Sequence, residues 1–218
     1  AIEQIKYAKQ YNIDTIITDH HKQKDTLPQA LAILNPNRND CKYPFKGLCG
    51  AGVAFKLCFG LNNELGNNLE DVLQYTDLVA IATTADVVPI IDENRLIVKE
   101  GLKNIIKGNN KGIRALLKVS KLDAHNINVG KLGYWFIPKI NAAGRLGDAA
   151  RAVKLFTTNN SQFANEIAID LENENEKRKL ITMQHENDAK RIINDSINFE
   201  QDKIIILYDD NWHFGVVG

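Results

Sequence analysis

The chain has 218 residues, 44% hydrophobic and 25% charged, with 27 basic and 27 acidic side chains and a formal net charge of zero. This is an ordinary globular composition, long enough for one large domain or one domain with part of another. Zero net charge excludes bulk electrostatics as the basis of nucleic-acid binding, so an anionic partner has to be held by a local basic groove or by bound metal.

No apolar run approaches the roughly 18 residues of a membrane span, and no signal peptide is visible. Cys41, Cys49 and Cys58 form no CxxC pair, and their odd number fits free thiols in a reducing cytoplasm. The chain opens at Ala1 in what reads as mid-helix, packed by Ile2, Ile5 and Ala8. It closes at Val216-Val217-Gly218 inside an apolar run, so both ends read as cut.

After the opening helix, Asp14-Thr15-Ile16-Ile17 is a short β-branched segment that reads as a buried strand over 14–18. It delivers Asp19, His20 and His21 to its C-terminal end, where open α/β sheets place their ligands. A carboxylate beside two imidazoles offers a hard oxygen and borderline nitrogens, a set that suits Mn²⁺ or Mg²⁺ with water better than a structural zinc. The plain alternative is a polar turn after a strand.

Leu31 to Leu34 reads as a second buried strand, stopped by Asn35-Pro36-Asn37. Helix, strand, linker, strand is the rhythm of a parallel α/β sheet. A loop with Tyr43-Pro44-Phe45 leads to Gly47-Leu48-Cys49-Gly50-Ala51-Gly52 and a helix over about 53–65. These glycines suit either a phosphate at the helix N-terminus or close packing on the sheet.

A helix is expected over 69–84, ending at Thr83-Thr84-Ala85-Asp86-Val87-Val88-Pro89. Asp86 is either a helix-end residue or a second ligand arriving from a distant part of the chain. An amphipathic helix over 93–107 and a shorter one over 112–119 follow. The series Lys99, Lys103, Lys107, Lys111, Arg114, Lys118 and Lys121 reads as a solvated face rather than a phosphate track, because Gly108-Asn109-Asn110 breaks its register.

Lys139-Ile140-Asn141-Ala142-Ala143-Gly144-Arg145 places small residues between two cations, which lets backbone and charge approach an anion together. Asp148 is the expected N-cap of a helix through Ala149, Val153 and Leu155. Residues 161–195 carry one long helical pattern, with Phe163, Ile167 and Leu171 as an apolar seam and a charged middle from Glu172 to Lys179. That pattern reads as a bridge between two domains. Lys203 to Leu207 is expected to open a new strand, followed by Trp212-His213-Phe214-Gly215.

These stretches, taken in order, resemble the RecJ branch of the DHH phosphoesterases, the single-strand-specific exonucleases. The resemblance rests on Ile16 to His21, Leu34-Asn35-Pro36, Tyr43-Pro44-Phe45, Gly50 to Lys56, Ala82 to Pro89, Ile140 to Leu146 and Trp212 to Gly218. It implies an α/β fold: a parallel-sheet DHH domain over 1–158, a connecting helix over 159–198, and the start of a DHHA1-like domain over 199–218. It implies a two-metal centre for Mn²⁺ or Mg²⁺ that includes Asp19, His20, His21 and Asp86 but is incomplete within this chain, which is expected to be inactive alone. It also implies phosphate contacts from Lys139, Asn141 and Arg145, with His213 at the domain entry. Lys139 stands where the family has arginine, which keeps the charge but loses the planar fork. An upstream Asp-x-Asp motif is expected before Ala1.

The implied function is hydrolysis of single-stranded DNA, 5′→3′, in cytoplasmic DNA repair and recombination. The implied partners are single-strand-binding protein and a helicase, with no membrane. Two rivals stand beside it. One is a DHH phosphodiesterase for short oligonucleotides or cyclic dinucleotides. The other is a non-catalytic scaffold on the same fold, against which the intact Asp19, His20, His21 and Asp86 argue.

Overall fold

The structure is a computed structural model and describes residues 2–146, 148–197 and 203–217, without the side chains of Leu146 and Ser196. Elements run in the order α1 (Ile2–Gln10), β1 (Ile16–Thr18), β2 (Ala32–Leu34), α2 (Gly50–Glu64), α3 (Glu70–Leu73), α4 (Thr76–Ala85), α5 (Asp92–Lys107) and α6 (Lys111–Val119). After a short 3₁₀ turn come α7 (Val129–Lys131), a π-helical turn at Leu132–Phe136, α8 (Ile137–Leu146), α9 (Ala150–Thr157), α10 (Ser161–Ser196) and α11 (Phe214–Val217). Packing divides the chain into two compact units, residues 1–109 with 127–133 and residues 110–126 with 134–218. No described helix is long and apolar enough to cross a membrane.

In the first unit β1 and β2 pair in parallel, Ile16 with Ala32, Ile17 with Ile33 and Thr18 with Leu34. The ladder runs one bond further, from the Asp19 amide to the Leu34 carbonyl at 2.9 Å. Asp19 is therefore fixed where the strand ends. The strand runs over 16–18 rather than 14–18, and Ile16 is exposed rather than buried.

Cys49 caps α2, its sulfur accepting from the Gly52 amide. A core of Leu48, Val53, Phe55, Val72, Val79 and Ile97 joins α2, α3, α4 and α5, with Leu34 of β2 packed against it. Helices α4 and α5 approach so closely that a Cβ on Gly101 would fall 2.2 Å from the Thr76 carbonyl oxygen. Only hydrogen at that position allows the crossing.

The helix expected over 69–84 is two helices. The Leu73 carbonyl at the break is taken by the Thr76 hydroxyl at 2.7 Å and the Asn104 amide at 2.9 Å. The result sets the direction of α4, which ends at Asp86.

In the second unit α6 buries Ile113, Ala115, Leu116 and Leu117. Helix α10 buries Ala164, Ile167, Ala168, Leu171 and Asn175, a single face at helical spacing. Phe163, expected in that seam, is exposed instead. The charged middle of α10 is not solvated all round as a bridging helix would be. Glu172 pairs with Lys139 of α8, and Glu174 pairs with Arg151 of α9 at 2.6 Å. Buried ionic groups persist where they are paired.

Asp148 does hold the start of α9, accepting from the Ala150 amide at 2.9 Å, although Ala149 occupies the cap position. The strand expected at Lys203 to Leu207 is not formed. Those residues have no regular structure, and Ile204 and Ile206 are exposed. A strand needs a neighbour for its backbone groups, and none lies beside this segment among the described residues. Of the stretch 199–218 expected to begin a further domain, residues 199–202 and 218 lie outside the described residues, as does Gly147.

Candidate metal centre

The strand end presents three side chains together. Ligand atoms of Asp19, His20 and His21 all lie within 4.8 Å of one another. Asp19 Oδ1 accepts from the amides of His20 at 2.8 Å and His21 at 3.2 Å, and stands 2.7 Å from His21 Nδ1. Partial burial works to raise the Asp19 carboxyl. The hydrogen bonds from the His21 ring and the two amides, with the charge of His21, outweigh it and hold the carboxyl below its ordinary value. Asp19 is thus set to be a carboxylate at neutral pH, the form a metal needs.

Asp86 reaches the same place from α4. Its Oδ2 lies 3.3 Å from His20 Nδ1. Asp86 caps α4, and Val87 turns the chain outward with φ of 57°. A β-branched residue seldom adopts that left-handed conformation, and Val87 is 87% exposed, so packing does not compensate it.

Two asparagines complete the support. Asn35 donates to the His21 carbonyl at 2.9 Å, and Asn37 donates to the His20 carbonyl at 2.7 Å. Sequence reasoning gave Asn35-Pro36-Asn37 only the role of stopping β2. The available signal was the pair of Asx side chains directly after a strand, a residue type that bonds nearby backbone. Gly50, at the start of α2, lies against the His20 ring, where a side chain would touch Cδ2 at 3.5 Å.

Asp19 and His21 line an open groove of about 700 Å³ together with Ile17, Lys22 and Asn35. A second cavity of about 440 Å³, lined by Leu34, Tyr43, Leu48 and Lys56, holds none of the candidate ligands. The clustered donors Asp19, His20 and His21 fit a divalent ion of the Mn²⁺ or Mg²⁺ kind, Asp86 adjoins them through His20, and each His Nδ1 faces a carboxylate. That pairing is how carboxylates orient ligating histidines.

The remaining expected residues lie in the second unit. Asn141 and Arg145 are exposed and one turn apart on α8, hence on one face. Ala142 and Ala143 between them are fully buried, so the small residues serve helix packing rather than an approaching anion. Lys139 is not on the open face: it is 3% exposed, with its ammonium 2.5 Å from Glu172. Its expected phosphate contact is replaced by a structural ion pair, because α8 turns position 139 inward. Arg145 Nη1 donates to the Gly215 carbonyl at 2.9 Å, which brings the Arg145 and His213 segments together.

The chain is similar to known proteins along its length. A family model described as the DHH family, N-terminal domain, matches residues 1–83. Over its whole length the chain is 37% identical to the single-stranded-DNA-specific exonuclease RecJ of Bacillus subtilis, of which it covers 27%. A crystal structure of RecJ from Thermus thermophilus in complex with Mn²⁺ superposes with a TM-score of 0.84 at 32% identity, over 99% of this chain and 31% of that one. The Thermus thermophilus RecJ in complex with Mg²⁺ gives a TM-score of 0.76 at 31% identity, over 95% of this chain and 30% of that one. The chain therefore spans about a quarter to a third of the length of these relatives. Over its length the chain is similar to RecJ exonucleases, and its first 83 residues match the N-terminal domain of the DHH family.

Proposed function

We propose that this chain carries part of the catalytic machinery of a metal-dependent exonuclease that hydrolyses phosphodiester bonds in single-stranded DNA. The observation that carries the reading is the meeting of His20 and Asp86 at 3.3 Å beside Asp19 and His21. The name and the bound ions of the relatives support it.

Asp19, His20, His21 and Asp86 would hold Mn²⁺ or Mg²⁺. When bound, such ions supply an activated water and stabilise the charge on the attacking and leaving oxygens. The chain's own residues do the positioning. Asp19 holds the His21 ring, Asp86 holds the His20 ring, and Asn35 and Asn37 fix the backbone that carries both. In the second unit, Asn141, Arg145 and His213 are the proposed phosphate contacts. Lys139 acts instead as the counter-charge that seats α8 on α10.

The finer parts of the reading come from the family resemblance. They are a two-metal mechanism, 5′→3′ polarity, and a DHH domain over 1–158 followed by the connecting helix and a DHHA1-like start. They also include a cytoplasmic role in repair and recombination beside single-strand-binding protein and a helicase.

The test uses the protein that carries this chain. With Mn²⁺ it should degrade a long 5′-phosphorylated single strand, leave the duplex intact and turn over a dinucleotide poorly. His20→Ala should abolish the activity while preserving the fold. Preference for the dinucleotide would favour a short-oligonucleotide phosphodiesterase, and undiminished activity in His20→Ala would overturn the metal assignment.

A further inference from the structure

The second unit holds two histidines whose rings both accept hydrogen bonds from the backbone. The His213 amide donates to His185 Nε2 at 2.9 Å, and the Gly215 amide donates to His213 Nδ1 at 3.1 Å. A backbone N–H can only donate, so each of these ring nitrogens is the unprotonated one. His185 therefore carries its proton on Nδ1, and His213 carries its proton on Nε2.

The relay continues at Gly215, whose carbonyl accepts from Arg145 Nη1 at 2.9 Å. A Cβ on Gly215 would stand 2.7 Å from the Arg145 carbonyl oxygen, so glycine is required for the approach. The rings on either side reinforce the arrangement. Trp212 lies 5.9 Å from the His185 ring, and Phe214 stacks on His213 at 5.3 Å and 9°.

We propose that His185, on the long helix α10, is a positioning residue for the Trp212–Val217 segment and, through Gly215, for Arg145. The inference rests on the reading of Arg145 and His213 as phosphate contacts. The relay gives that contact its form. His213 is fixed as an Nε2–H donor, the hydrogen a phosphate oxygen accepts. Arg145 spends one of its five N–H donors on Gly215 and keeps the others for an anion. Both are tied to a helix rather than left on a loop, which lowers the ordering cost when a backbone phosphate binds. A side chain at 185 that cannot accept leaves the His213 amide without its partner.

The experiment compares wild type, His185→Ala and His185→Gln in the protein that carries this chain. Glutamine retains an acceptor that can take the His213 amide. Amide hydrogen exchange is followed by NMR, together with binding of a 5′-phosphorylated oligothymidylate of about 20 nucleotides by fluorescence anisotropy. His185→Ala should speed exchange at His213 and Gly215 about tenfold or more and shift the Arg145 side-chain resonances. Amides of α4 and α5 should stay at wild-type rates, and oligothymidylate binding should weaken about three- to tenfold. His185→Gln should restore most of both. Unchanged exchange at His213 in His185→Ala, or no rescue by glutamine, overturns the proposal. Absence of oligothymidylate binding by wild type overturns the phosphate reading on its own, with the exchange rates still deciding whether His185 holds the segment.

Discussion

His20 Nδ1 stands 3.3 Å from Asp86 Oδ2, joining the end of a three-residue strand to the end of a helix far along the chain. If that pair orients a metal ligand, Asp86→Asn should weaken Mn²⁺ binding at least about tenfold with the fold intact, since asparagine keeps the shape and loses the charge. Calorimetry checks it. Equal affinity in the variant would reduce the pair to a hydrogen bond between neighbours.

Lys139 gives a contrast between a surface cation and a structural one. It is 3% exposed and paired with Glu172, so Lys139→Met should cost about 3–5 kcal/mol in urea unfolding by leaving the carboxylate without its partner. Adding Glu172→Leu should recover most of that loss. A cost near that of an ordinary surface substitution, within about 0.5 kcal/mol, would mean that the ion pair does not seat α8.

Val87 is left-handed, β-branched and solvent-exposed directly after Asp86. Val87→Gly removes a conformational cost of about 1–2 kcal/mol and adds about 0.5–1 kcal/mol of glycine entropy. A net gain of between about 0 and 1.5 kcal/mol in unfolding free energy is expected. A loss of stability would show that the valine side chain makes a contact worth more than its strain.

Asp77 supplies a pH-dependent prediction. Burial raises its carboxyl above the ordinary value, against the opposing hydrogen bond from the Leu78 amide at 2.7 Å. An acid raised in the folded state binds its proton more tightly folded than unfolded. Its favourable contribution is therefore full below the unfolded value of about 3.9, and is lost as pH rises through the folded value. Asp77→Asn, which keeps an acceptor for Leu78, should be more stable than wild type at pH 7. The gap should close as pH falls toward about 4. A constant gap across that range would remove Asp77 from the pH response.

Much of the centre was legible in the residues. β-branched Ile16 and Ile17 announced the strand that carries Asp19, and the apolar run before Asp86 announced the helix that carries it. Their meeting was not legible from spacing, because it depends on how α4 leaves its break at Leu73 and crosses α5 at Gly101. The inward turn of Lys139 was hidden for a related reason. Its segment reads as small residues between two cations, and only as a helix does position 139 fall opposite Asn141 and Arg145. The strand expected at Lys203 failed because β-propensity describes a fit to a neighbouring strand, which the sequence of one segment does not supply. His185 carried no signal at all, since its partner is a backbone amide in a distant segment.

The central claim is that Asp19, His20, His21 and Asp86 belong to one divalent-metal centre, and paramagnetic broadening tests it most directly. Mn²⁺ is titrated at substoichiometric amounts into isotopically labelled chain. The resonances of Asp19, His20, His21 and Asp86 should broaden first and together, and in His20→Ala this selective loss should disappear. Broadening that begins elsewhere, or that persists unchanged in His20→Ala, would contradict the assignment.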